Sequence, residues 1–394
     1  MSLIYLDFNR TTPMAPSVIE SMQAFWSTHF MLPSQSHVHA SAVSEAIETA
    51  RENVSMLLGC DPFEVVFTSG GTEANNLGVL GAAMICHAGS DPRDHAPGFP
   101  CSSHVPPPHA LVSEVEDESV IAAAKHLQLL GWRVDWVPCD SQGVVSVEAF
   151  ASRFEPTTRL ACLQLANPVV GTIQPIRELA DRSHSRGIRI HCDATAAVGR
   201  VPVDVRELRV DTLSVSAHRF YGPKGSGALF VRRGLDMNPI SFGESREMGL
   251  RAGSENVPGI VGLGAAAAMT ARCVDEAQAT LQELCERLVE GLRATLDSRI
   301  EVLAEHVARL PNTVAIELAT EAKRIQRTAR QIVVAAAQSK SPPDEITRVL
   351  RAIGKSEQQI GCTLRFSVGW TTSREQIDRA VDLVADACEY ASRA

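Results

Sequence analysis

Positive charge is in short supply: Lys and Arg number 37 against 46 Asp and Glu, a net charge of −9. Nothing therefore marks nucleic acid or an anionic membrane as a partner. Uninterrupted apolar runs are short too, and none approaches the roughly 18 residues of a membrane span. The opening "MSLIYLDFNRTTP" carries neither a basic leader nor a long apolar stretch, which predicts a cytoplasmic address. CxxC pairs are absent. The ten cysteines are scattered, at 60, 86, 101, 139, 162, 192, 273, 285, 362 and 388. Most are expected to be small buried apolar residues rather than disulfides or metal ligands.

What the chain does have is a regular alternation of apolar runs and helical patterns. The 394 residues, 45% hydrophobic and 21% charged, suffice for one large domain plus a smaller one. Runs rich in Val, Ile and Leu occur at "EVVFTS", "HALVSEV", "RVDWVPC", "RLACLQLA", "IRIHCDA", "DTLSVSA" and "GALFVRR". Helical stretches such as "TEANNLGVLGAAMIC", "SVIAAAKHLQLLG" and "IRELADRSHSRG" lie between several of them. That rhythm predicts an α/β fold with a mostly parallel sheet covered by helices, and ligands at the carboxyl ends of its strands. From "ENVPGIVGLGAAAAM" a long helix is expected, running to about "RATLDS". It leads into a smaller α+β unit with strands "NTVAIEL" and "CTLRFSVG" and a closing helix "SREQIDRAVDLVADACEYA". The large domain is expected at about residues 15–260, and the small one at 1–14 plus 261–394.

The segment 86–109 is dense in Pro, Gly, Ser and His and reads as a long irregular loop. Cys86, His87, His95, Cys101, His104 and His109 fall in it, but their spacing fits no tight zinc pattern, and no metal is expected.

Several short motifs could carry chemistry. In "FTSGGTEANN", Gly70 and Gly71 let the backbone approach a ligand, and Thr72 offers a hydroxyl at a positive helix end. A phosphate cup and a plain strand-to-helix turn are both open here. "RIHCDATAAVGR" places Asp193 at the carboxyl end of an apolar strand, where a carboxylate is costly unless it meets a cation. A protonated pyridine nitrogen would serve; a helix cap or a structural ion pair is the alternative. "LSVSAHR" puts Ser216 and His218 on one strand face by period 2. Both could contact a phosphate, and a satisfied core histidine is the other reading. "LRAGSENVPG" adds a polar, glycine-containing loop.

In this order the motifs resemble the cysteine desulfurase and selenocysteine lyase family of fold-type-I pyridoxal-phosphate enzymes. The resemblance covers nearly the whole chain: "IYLDFNRTTP", "LPSQSHVHA", "FTSGGTEANN", "RVPVDVRELRVDTLSVSAH", "YGPKGSGAL", "RAGSENVPGIVGLGAA", "RLPNT", "VLRAIG" and "TLRFSVG" each match. It implies that Gly71, Thr72, Ser216 and His218 bind phosphate, and that Ser254 reaches the phosphate of a partner subunit in a homodimer. It further implies that Asp193 faces the pyridinium and that Arg365 receives the substrate carboxylate.

The departures fall where bonds are made. Arg219 stands where the family has the Schiff-base lysine, and a guanidinium stays protonated and is no carbonyl nucleophile. Asp117 stands in place of the ring-stacking His, and Pro168 and Ala196 in place of two residues that hydrogen-bond the cofactor. Gln338 takes the position of the sulfur-accepting Cys. Cys362, by alternation with Arg365, is expected in the core with Leu364 and Phe366, and Cys192 faces away from Asp193. Lys224 and Lys340 are the spare amines considered. The expectation is a non-desulfurase that takes a small anion, with pyridoxal phosphate bound non-covalently if at all. An active pyridoxal-phosphate enzyme using another amine and a structural or regulatory partner are the alternatives.

Overall fold

The computed structural model describes residues 3–85, 106–297, 300–338 and 341–393. Strand β1 (Ile4–Tyr5) leads in chain order to β2 (Val65–Thr68), β3 (His109–Ser113), β4 (Arg133–Val137) and β5 (Thr158–Cys162). Then come β6 (Arg189–Asp193), β7 (Thr212–Ser216) and β8 (Gly227–Val231). All seven apolar runs of the sequence become β2 to β8, which form one sheet in the order β2-β8-β7-β6-β5-β3-β4. β7, β6, β5, β3 and β4 pair in parallel, and only β8 runs against its neighbours β2 and β7. Their near-continuous burial, with Leu111, Val112, Ala161, Ile190 and Leu213 all 0% exposed, is what a sheet covered on both faces demands.

β9 (Ser245–Arg246) and β10 (Arg251–Ala252) make a small antiparallel pair. Beyond it lie β11 (Ile300–Val302), β12 (Thr313–Leu318), β13 (Ile332–Val333), β14 (Ala335–Ala336) and β15 (Thr363–Ser367). β11, β12, β15 and β14 form a second sheet in that order, while β13 pairs with β1. Ile4 and Leu6 join Leu288, Ile316, Leu364, Phe366 and Ile377 in a second core. Ile346, Val349 and Leu350 instead pack into the main core with Leu163 and Val170.

The long helix Val257–Leu296 connects the two regions. One 18-residue window in it is long and apolar enough to cross a membrane by composition, with mean hydropathy 1.5. This qualifies the sequence expectation of no membrane-length stretch. More than half of that window is buried, and the helix packs against Val38–Leu58 and Arg374–Arg393. It is the core helix of this fold. Gly264 lets it approach closely, since a Cβ there would overlap the backbone and side chain of Ala50.

Residues 86–105, with most of the loop and of its Cys and His, lie outside the described residues. His109 opens β3, buried, with Nδ1 2.9 Å from Thr158 Oγ1. Among the described residues no group of three His, Cys, Asp or Glu side chains could hold a metal.

Gly264→Ala is therefore expected to destabilise the protein by about 1–3 kcal/mol through overpacking, despite alanine's better helix propensity. A lower urea midpoint with an unchanged slope checks this.

Candidate active site

The site lies along the carboxyl edge of the main sheet, where β2, β3, β5, β6 and β7 end. β2 runs into Gly70, whose φ of +147° suits a residue without Cβ, and the helix Gly71–Asn76 starts there. Gly71 is needed as well: a Cβ on it would stand 2.8 Å from Thr195 Cγ2 and 3.3 Å from Ser216 Cβ. The helix start, Thr195 and Ser216 thus meet at one point, with Thr72 exposed at its rim. The first amides of a helix have no intrahelical acceptor, so the turn is open to an anion.

Asp193, 4% exposed, ends β6. Thr195 N donates to its Oδ1 at 2.8 Å and Asn75 Nδ2 to its Oδ2 at 2.8 Å. Asn75 Nδ2 also donates to Ser119 Oγ at 2.9 Å, and Ser119 Oγ to Asp117 Oδ1 at 2.5 Å. Asn75 Oδ1 lies 3.1 Å from His191 Nε2. His191 is fully buried, and burial pushes it down to about 3, so it is neutral. Burial first and the negative charge of Asp117 second push the Asp193 carboxyl up. No cation pairs with Asp193 among the described residues, which leaves its charge for a proton-bearing ligand nitrogen.

The strand projection for His218 needs correction. β7 ends at Ser216, and Ala217–Arg219 is a 3-10 turn, so His218 does not share a strand face with Ser216. The turn is held by the N-terminal segment. Thr12 N donates to the His218 carbonyl at 2.9 Å, Thr11 Oγ1 lies 3.1 Å from His218 Nδ1, and Arg219 Nη1 donates to the Asn9 carbonyl. Arg200 donates to the carbonyls of Arg219 and, at 3.0 Å, of Phe8. Burial, then Arg219, Lys224, Arg200 and Arg10, push His218 down to about 4. At neutral pH it is an uncharged ring among cations.

Arg365, 3% exposed, pairs with Asp7 through Nη2 and donates from Nη1 to the Pro168 carbonyl at 3.1 Å. The Pro168 carbonyl also accepts from Asn9 Nδ2 at 2.9 Å. Ser254 is exposed, on a loop held at two points: Arg251 donates to the Ser254 carbonyl at 3.3 Å and pairs with Glu73 at 3.2 Å. Among the described residues, no hydrogen bond joins Ser254 to Thr72 or Ser216. Ala196 is buried at 6% exposure and offers no polar group.

Cys362 also departs from expectation. It caps the helix Glu357–Gly361 just before β15 and is half-buried, so it is not a core residue. Burial and Glu317 raise its thiol. It lines a cavity of about 760 Å³ with the exposed Gln338, Thr347 and Arg351. Cys192 is fully buried, its thiol raised well above the ordinary value by burial and by Asp193.

Glu116 has no local sequence signal. It is 0% exposed, accepts from Gln164 N at 2.8 Å, and its Oε2 has no partner. Burial raises it to about 8. The chain has five lysines: 125, 224, 323, 340 and 355. Lys125, Lys224 and Lys323 are exposed, Lys355 pairs with Glu301 and Glu317 at 2.9 Å, and Lys340 lies outside the described residues.

Comparison with known proteins agrees with this geometry. The aminotransferase class-V family matches residues 4–94 and 102–380, and the chain belongs to that family. Within it, the relatives it is similar to include cysteine desulfurases. "Cysteine desulfurase IscS 1" of Archaeoglobus fulgidus is 35% identical over 98% of this chain and 97% of its own length. A cysteine desulfurase of Nostoc is 33% identical over 99% and 94%. A solved "NifS-like protein" superimposes with a TM-score of 0.87 at 28% identity, covering all of both chains. The fold is that of the pyridoxal-phosphate-dependent class-V enzymes.

The turn at Gly70–Thr72, Thr195, Ser216 and Asp193 would suit pyridoxal phosphate, and Arg219 follows His218 on the turn after β7.

Glu116 gives a pH test. Its raised value contributes stability that is complete below the unfolded carboxyl range near 4.5 and is lost as pH rises through about 8. Glu116→Gln, which mimics the protonated acid, is expected to match the wild type near pH 5 and to exceed it in denaturant midpoint above pH 8.

Proposed function

We propose that this protein is a desulfurase homologue that does not release sulfur from cysteine and that holds pyridoxal phosphate, or a similar small anion, without a covalent bond. The observation that carries the reading is Arg219, which follows His218 where the resemblance calls for a lysine. A guanidinium does not lose its proton in a protein and cannot condense with an aldehyde. Beside it, Thr72, Ser216 and the backbone at Gly71 supply neutral donors, and Arg219 adds a permanent positive charge. Asp193 faces the ring nitrogen. Gln338 offers no thiolate, and the raised thiols of Cys192 and Cys362 are poor nucleophiles. The large unit spans about residues 15–260 and the small one 1–14 with 261–394.

The identity to named desulfurases favours a second reading, an active pyridoxal-phosphate enzyme that recruits another amine. Lys224 is the described lysine closest to that role, since its charge reaches His218. It is exposed and lines a cavity with Thr12, Met14 and Trp26.

In this reading the protein is a homodimer in which Ser254 approaches the partner's phosphate turn. An interface above roughly 2,000 Å² follows for an obligate dimer. Light scattering at micromolar concentration is expected to give twice the chain mass; a monomer refutes the arrangement.

Incubation with L-cysteine is expected to yield no sulfide or persulfide above background. Arg219→Lys, treated with pyridoxal phosphate and borohydride, is expected to gain a reduced adduct at residue 219, still without sulfide release. Sulfide from the wild type, abolished by His218→Ala, overturns the reading.

A further inference from the structure

We propose that the hairpin made by β9 and β10 is a staple that fixes the turn Gly70–Thr72 in its open shape, with Glu247 and Arg251 as positioning residues that act through the turn. The inference rests on the preceding reading of that turn as an anion site, and it names what sets the geometry of the site.

The turn has two arms, the end of β2 and the first turn of the helix Gly71–Asn76. The hairpin grips both. On the strand side, Glu247 Oε2 accepts from Phe67 N at 2.8 Å and from Arg51 Nη1 at 2.8 Å, and its Oε1 accepts from Arg51 Nη2 at 3.1 Å. Arg51 also donates to the Val65 carbonyl at 2.7 Å, and its guanidinium lies 4.6 Å from the centre of the Phe67 ring. β2 is an edge strand of the main sheet, so its outward amides need a partner from outside the sheet. The Glu247 carboxylate supplies it. The side chains of Glu247 and Arg51 are 6% and 10% exposed, and charge-assisted hydrogen bonds shielded from water hold firmly.

On the helix side, Arg251 Nε donates to Glu73 Oε1 at 3.2 Å, while Glu73 Oε2 accepts from Ser69 N at 2.7 Å. Glu73 thus closes the turn on itself, and Arg251 ties it to the hairpin. The whole turn lies between the two grips.

Two further observations fit a staple. The hairpin bends through Glu247, Met248 and Gly249, with φ of +44°, +57° and +85°. Left-handed backbone at two successive residues other than glycine costs free energy and persists only where the surroundings dictate it. Met248 is 52% exposed, so packing at the tip does not dictate it; the grips on either side do. Second, Glu73 directly follows Thr72, and its charge repels an anion bound at the turn. A carboxylate there is explained by the position it holds, not by the charge it brings.

The test titrates inorganic phosphate calorimetrically into the full-length wild-type protein and its variants, and follows hydrogen exchange of segment 67–74 without ligand. By charge alone, Glu73→Gln and Glu247→Gln would tighten phosphate, and Arg246→Ala and Arg251→Ala would weaken it alike. As a staple, Glu73→Gln and Arg251→Ala are each expected to weaken it about threefold or more, and Glu247→Gln about tenfold or more. Arg246→Ala removes an equal charge from β9 but no contact with the turn, and is expected to stay within about twofold of the wild type. Arg251→Lys is expected to recover part of the loss. Exchange in 67–74 is expected to quicken in the three staple variants and not in Arg246→Ala. If Glu247→Gln does not fold, Glu73→Gln and Arg251→Ala decide. The proposal is overturned if Glu73→Gln binds phosphate as tightly as the wild type or more tightly. It is also overturned if Arg246→Ala weakens phosphate as much as Arg251→Ala, or if exchange in the segment is unchanged in Arg251→Ala. Failure of phosphate to bind the wild type would count against the anion-pocket reading instead, and the exchange measurement then decides the staple alone.

Discussion

A guanidinium at residue 219 keeps its proton at every pH the protein meets, and the pocket is arranged around that fixed charge. Its turn is tied to the N-terminal segment through Asn9, Thr11 and Thr12 and braced by Arg200. The same charge helps keep His218 neutral. A lysine at this point could give up its proton and attack; an arginine can only attract. In the function proposed above, what the pocket does follows from binding and orientation, not from a covalent bond to the chain.

Near the strand ends lie carboxyls that have no ion-pair partner within 4 Å among the described residues. Asp193 is buried and pushed up, Asp117 adds repulsion, and Glu116 behind them is raised to about 8. Such a buried group is stabilised only by hydrogen bonds, as Asn75 and Thr195 provide for Asp193, or by a ligand that brings the missing charge.

Much of this was legible in the sequence, and the failures have physical causes. The seven strands of the main sheet stood out because a sheet covered on both faces needs continuous apolar runs. Asp193 stood out because a carboxylate after such a run is costly. His218 was misplaced because period-2 alternation holds only within a strand, and β7 ends two residues earlier. Cys362 was misplaced for the same reason, since it belongs to a helix cap before β15 begins. Glu116 gave no signal at all: it follows the end of β3, and the helix Glu345–Ala352, anchored there by Arg348, comes over it only in the fold. Arg365 was legible as a candidate, but its pairing with Asp7, some 358 positions away in the chain, was not.

The central claim is that the wild-type chain forms no covalent bond with a pyridoxal aldehyde. Its most direct test is intact-mass analysis of the wild-type protein after saturation with pyridoxal phosphate, borohydride reduction and removal of free ligand. The mass is expected to equal that of the untreated chain, while binding before reduction is seen by titration. A mass increase of one phosphopyridoxyl group per chain, mapped to a single lysine, would contradict the account.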